Sequence, residues 1–137
     1  MKNLLALLLI GIFSISTFAQ TQADKQNVIQ YCIDLKDLQS YYHPITIDGK
    51  EVLLIRENKV TEVLNLKQFG NPVKHFDMEH LFAFNYKAYL SFDRIKIKGN
   101  KADVLLAYEI ENLKAHIKLE KEKGKWQIKS QSIKIES

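Results

Sequence analysis

The chain has one cysteine, two prolines, five glycines and one tryptophan among its 137 residues. A lone thiol, Cys32, makes no intramolecular disulfide, so the fold is not a cystine-stapled scaffold. Prolines only at positions 44 and 72 exclude a proline-rich spacer. The glycines are scattered singly, which excludes a glycine-rich loop for cradling phosphate. Beyond Leu4–Ile15, no apolar run approaches the ~20 residues of a membrane-crossing helix. Neither charge sign dominates: 20 Lys and Arg stand against 16 Asp and Glu, for a formal charge of +4. No Gly-x-Ser-x-Gly, His-Glu-x-x-His or Cys–His pattern occurs, so nothing nominates a nucleophile or a zinc site.

What is present begins with an address. Lys2, the apolar stretch Leu4–Ile15 and the small residues Thr17 and Ala19 form the pattern of a secretory signal peptide cleaved before Gln20. Its apolar part is too short for a hydrocarbon core of about 30 Å. The expected mature protein is therefore a single domain, residues 20–137, periplasmic or secreted, without stable membrane insertion after cleavage. That location and the absence of a recognition motif argue against nucleic acid as a partner. Cys32, among Val28, Tyr31 and Leu35, is expected to be buried rather than to pair between molecules.

The last third, Tyr86 to Ile135, reads as an antiparallel meander. Ala102, Val104, Leu106, Tyr108 and Ile110 alternate with Lys101, Asp103, Leu105, Ala107 and Glu109, the period of a half-buried strand. Gly99-Asn100 joins this run to Tyr89–Lys98 and suits a type II′ turn. Leu90 and Phe92 lie on one parity, Ile95 and Ile97 on the other, so a β-bulge is expected at Asp93-Arg94; the alternative is a sheet covered on both faces. Leu113, Ala115, Ile117 and Leu119 form the next row. The final strand slips phase between Trp126/Ile128 and Ile133/Ile135, at Ser130-Gln131-Ser132. Two slips imply a curved sheet with something in its hollow.

The front half supplies that filling. Val28, Tyr31, Cys32, Leu35 and Leu38 recur at helical spacing, with Asp24 as the expected N-cap and an end before Pro44. Tyr41 and Tyr42 should pack their rings while leaving their hydroxyls in water. Ile45–Ile47 and Glu51–Arg56 read as a hairpin on Asp48-Gly49. Lys59–Leu66 reads as a strand in competition with a helix. Phe69–Val73 is a turn, and Met78–Asn85 a short helix or a loop. The fold class is thus α+β, an N-terminal helix packed on a curved antiparallel sheet.

The aromatics are the best functional signal. They serve either as core or as the lining of an apolar pocket, with Tyr86, Phe92, Tyr108 and Trp126 the expected ligand-binding set. The polar run His75-Phe76-Asp77-Met78-Glu79-His80 has no defensible metal spacing, so no metal and no cofactor is expected. Lysines alternating with apolar residues from Lys87 onward read as a solvated sheet face, or as a surface drawn to anionic envelope components.

A helix leading into a meander that ends in Gly124, Lys125, Trp126 and Ile128 resembles the small exported domains of the nuclear transport factor 2-like and cystatin-like type. The resemblance covers Tyr86 to Ile135, and the front half, with one long helix and an extra hairpin, departs from it. It implies either a binding module or a small pocket enzyme, and it carries over no catalytic residues. The first expectation is a non-catalytic exported module for a small apolar ligand or an envelope protein. The second is an enzyme acting on an apolar small molecule through Asp93 or His80 and a tyrosine.

Overall fold

Burial of the apolar rows organises both halves of the chain. The computed structural model describes residues 22–58, 61 and 64–136, which form a mixed α+β fold around a large, mostly antiparallel sheet. The expected leader, residues 1–19, lies outside the described residues. So do positions 59, 60, 62 and 63 of the expected strand over Lys59–Leu66, whose described residues take no strand.

Helix α1 covers residues 22–33 and buries Val28, Ile29, Cys32 and Ile33. The stripe differs from the expected one: Tyr31 is exposed, and Leu35 is extended (φ −59°, ψ 127°) before a short α2 (Lys36–Gln39). Asp24 is not an N-cap. It lies inside α1, where its Oδ1 accepts from Trp126 Nε1 at 3.2 Å and Lys121 Nζ at 2.9 Å. Two donors from the meander take its carboxylate in place of a local cap. Tyr42 is buried, contrary to expectation, because its hydroxyl donates at 3.0 Å to Ile33 O, an end carbonyl of α1.

Strands β1 (Ile45–Ile47) and β2 (Lys50–Val52) form the expected hairpin; Asp48 and Gly49 both have positive φ, as a type I′ turn requires. The hairpin ends sooner than expected. After Leu53, β3 (Leu54–Arg56) leaves it and enters the main sheet. Strands β4 (Lys67–Gln68) and β5 (Asn71–Pro72) make a second hairpin on Phe69-Gly70, followed by β6 (Lys74–Phe76) and helix α3 (Met78–Ala83).

The meander follows: β7 (Tyr89–Lys98), β8 (Lys101–Tyr108), a 3₁₀ turn over Glu109–Glu111, β9 (Leu113–Glu122) and β10 (Lys125–Ile135). Glu109 and Ile110, expected to continue β8, turn away through Asn112 at φ 51°. The bulge in β7 falls where the parity slip put it, between Phe92 and Arg94, with Asp93 exposed. The slip in β10 lies between Ile128 and Ser130, making Lys129 the extra residue, one position before the expected segment.

The six-stranded sheet has the order β10-β9-β8-β7-β3-β6. Its antiparallel character is incomplete: β3 runs parallel to both β6 and β7, pairing Leu54 with Lys74 and with Tyr89. The run Val52-Leu53-Leu54-Ile55 is buried throughout, as parallel strands covered on both faces require. One face of the sheet shares a core with α1, uniting Val28 and Ile33 with Leu90, Val104, Ile117 and Trp126. On the other face Leu54, Leu81 and Tyr89 form a smaller cluster beneath α3.

Candidate functional site

The open end of the β7–β8 pair carries the largest concentration of exposed apolar side chains. Helix α3 is fixed there from both ends. Asp77 is its N-cap, and Oδ1 accepts from His80 N at 2.8 Å and from the His80 ring Nδ1 at 2.6 Å. Those two bonds hold the Asp77 carboxyl below its ordinary range, and the ring bond and the carboxylate's charge raise His80 above the usual imidazole value. At the other end Asn85 adopts φ 56°, Asn85 N–H donates to Phe82 O at 3.1 Å, and Tyr86 N–H to Leu81 O at 2.9 Å. This is the Schellman pattern, with Tyr86 packed against the cluster that contains Leu81.

A helix of six residues buries only Leu81. Phe82 is 87% exposed, Phe84 60%, and Met78 44%. Phe84 belongs to a ring group with Phe76, His80 and Tyr86, centroids 5.9–6.5 Å apart. Beside it, Met78, Phe82, Tyr86, Tyr89 and Ile110 line an open cleft of about 460 Å³. Asn85, Lys87 and Glu109 supply its polar edge. Tyr89 O–H donates to Glu109 Oε2 at 3.0 Å; burial and that carboxylate both push the phenol above its ordinary value. The cleft thus combines apolar side chains with a few polar groups at its edge.

Of the four expected ligand-binding residues, only Tyr86 lines this cleft. Phe92, Tyr108 and Trp126 are 1%, 0% and 7% exposed and fill the α1-side core instead. Tyr108 O–H accepts from His43 N at 2.7 Å and packs edge-on against Tyr42. The structure does not bring the four together. Sequence reasoning missed Met78, Phe82, Glu109 and Ile110; the visible signal was three large apolar residues, Leu81, Phe82 and Phe84, on a helix too short to bury them all.

Asp93 and His80 also lie apart. Asp93 borders a shallow groove on the sheet's outer face with His116 and Ser132, while His80 belongs to the α3 ring group. In that groove His116 Nε2 meets Asp103 Oδ1 at 2.6 Å, and Ser132 stands opposite His116 in register. Among the described residues no hydrogen bond joins the Ser132 hydroxyl to the ring. Burial acts to raise the Asp103 carboxyl, but the bonds from His116 and Arg94 outweigh it and hold it below the ordinary range. Cys32 is buried and its thiol is pushed up to about 12, which leaves it unreactive at neutral pH. Among the described residues His75 Nδ1 is buried without a partner, and burial lowers its pKa. Among the described residues, no group of three or more His, Cys, Asp or Glu could hold a metal ion, and no helix is long and apolar enough to cross a membrane.

No protein-family model, curated protein or solved structure matches this chain.

Proposed function

We propose that the chain is an exported, non-catalytic binding module whose α3–β7 cleft takes a small apolar ligand. One observation carries the reading: Met78, Phe82 and Ile110 stay exposed around a cleft although the domain has apolar cores on both sheet faces. Exposed apolar residues gathered around a concavity and rimmed by polar groups are the usual mark of a binding surface. Export rests on the leader pattern of residues 1–19 and places the module in the periplasm or outside the cell.

The same reading takes α1 as packed in the hollow of a curved sheet, the arrangement of the nuclear transport factor 2-like and cystatin-like domains. The two bulges and the core shared by α1 and the meander support it. Phe92, Tyr108 and Trp126 are buried in the core shared with α1, which supports a binding surface at the end of the sheet instead.

The test is a titration with N-phenyl-1-naphthylamine, a neutral apolar fluorophore. Emission should rise on binding to the folded chain, and a variant carrying Phe82→Ser and Ile110→Ser should abolish the rise. Both side chains are exposed, so the variant should fold. No emission change, or an equal change with the variant, would refute the cleft as the binding site.

A further inference from the structure

The second sheet face of the meander is as basic as the cleft is apolar. Beyond the β7 bulge, Ile95 and Ile97 pack toward the α1-side core, so Lys96 and Lys98 point the other way. Lys101 on β8 and Lys118 on β9 share that outer face, because Ala102 and Ile117 beside them are buried in the core. All four lysines are exposed, and none forms an ion pair among the described residues.

Their arrangement is costly for a merely solvated surface. Lys98 stands directly opposite Lys101, a like-charge pair that disfavours the sheet. The one acid in their midst on β8, Asp103, is opposite Lys96 and Lys118 in register, yet its carboxylate is bonded to Arg94 at 3.3 Å and to His116. Glu120, opposite Lys101, is the remaining acid at this end, and Lys129 is paired with Glu122. The lysine end therefore presents a net positive field that its own acids leave uncompensated.

We propose that this lysine face docks on the surface of an anionic lipid bilayer. The lysines are spread over three strands of a sheet and are all solvent-exposed. Although they border one open depression, a compact anion would require buried donors. Single-stranded nucleic acid would require exposed stacking rings, whereas Tyr89, Phe92, Tyr108 and Trp126, the aromatics of the meander, are all buried. A lipid surface requires only a broad field of cations brought within a Debye length, about 8–10 Å at ordinary salt. Docking there is separate from ligand binding: the cleft begins at Tyr89, and Lys98 lies at the far end of β7, about 30 Å away at strand rise.

The experiment is co-sedimentation of the purified chain with vesicles of phosphatidylcholine containing phosphatidylglycerol, against phosphatidylcholine alone, at low and high salt. The expected result is binding to the anionic vesicles only, weakened by salt. The variant Lys96→Gln, Lys98→Gln, Lys101→Gln, Lys118→Gln should bind more than about a hundredfold less tightly, at roughly fivefold for each lysine near an anionic surface. Circular dichroism of the variant checks that it folds. Equal binding to neutral vesicles, absence of binding, or an unaffected variant would overturn the proposal. Preferential capture of single-stranded DNA would replace the lipid partner with nucleic acid.

Discussion

Residues 89–136 and residues 22–88 solve the same burial problem by opposite means. In the meander every pairing joins strands consecutive in the chain, β7 to β8 to β9 to β10, and each strand is eight to eleven residues long. In the front half the strands are two or three residues long, and β3 finds its partners in β6 and β7, distant in sequence. The charge divides along the same line. Residues 89–137 hold eleven Lys and Arg against seven acids, whereas residues 20–88 hold eight against nine. The meander is thus the basic part of the chain, while the front half supplies the apolar residues of α1 that share its core and the α3 side of the cleft.

The largest effect should come where the two halves are joined. Trp126 is almost fully buried in the core shared with α1, so Trp126→Ala should cost about 3–5 kcal/mol in denaturant melts. A loss under about 1 kcal/mol would show that the halves are not coupled through this ring. Asp24→Ala comes next. It leaves the Trp126 indole N–H and the Lys121 ammonium, both largely shielded from water, without their acceptor. The expected loss is about 1–3 kcal/mol, and an unchanged melt would remove Asp24 as the tie.

Legibility followed the same division. The rows Ala102/Val104/Leu106/Tyr108 and Leu113/Ala115/Ile117/Leu119 alternate because each strand has one face on the core, so period alone located them. The turn at Gly99-Asn100 was readable because positive φ is needed at its first position, and Gly99 supplies it at 59°. The β7 bulge was visible as a parity slip. By contrast, Val52-Leu53-Leu54-Ile55 has no period, and a continuous apolar run does not announce that its partners lie in parallel. Asp24 looked like a cap because its true partners, Lys121 and Trp126, are at the far end of the chain. The cleft was half-legible. Tyr86 stands out by its ring, but Ile110 and Glu109 reach the cleft only because the chain leaves β8 at Tyr108.

The cleft and the core should also differ in stability terms. Phe82→Ala should change stability by less than about 0.5 kcal/mol, because the ring is mostly in solvent. A large loss would move Phe82 from binding surface to core. The smallest effect concerns the α3 cap and its pH dependence. The raised His80 pKa contributes stability below the ordinary imidazole range, lost as pH rises through the folded value. The lowered Asp77 pKa contributes above the ordinary carboxylate range, lost as pH falls through its folded value. The pair therefore supports α3 most between those two limits. In an NMR titration His80 should titrate above the usual imidazole value, and Asp77→Ala should return it to the ordinary range. A His80 that ignores the substitution would contradict the cap.

The central claim is that the binding surface lies at the α3 end, while the hollow beneath α1 is solid core. NMR chemical-shift mapping with the neutral apolar fluorophore tests it directly. The account predicts shifts at Met78, Phe82, Tyr86 and Ile110, with the Trp126 indole and the Phe92 and Tyr108 signals unmoved. Shifts centred on Trp126, Phe92 and Tyr108, with α3 unaffected, would contradict it and place the pocket in the hollow of the sheet.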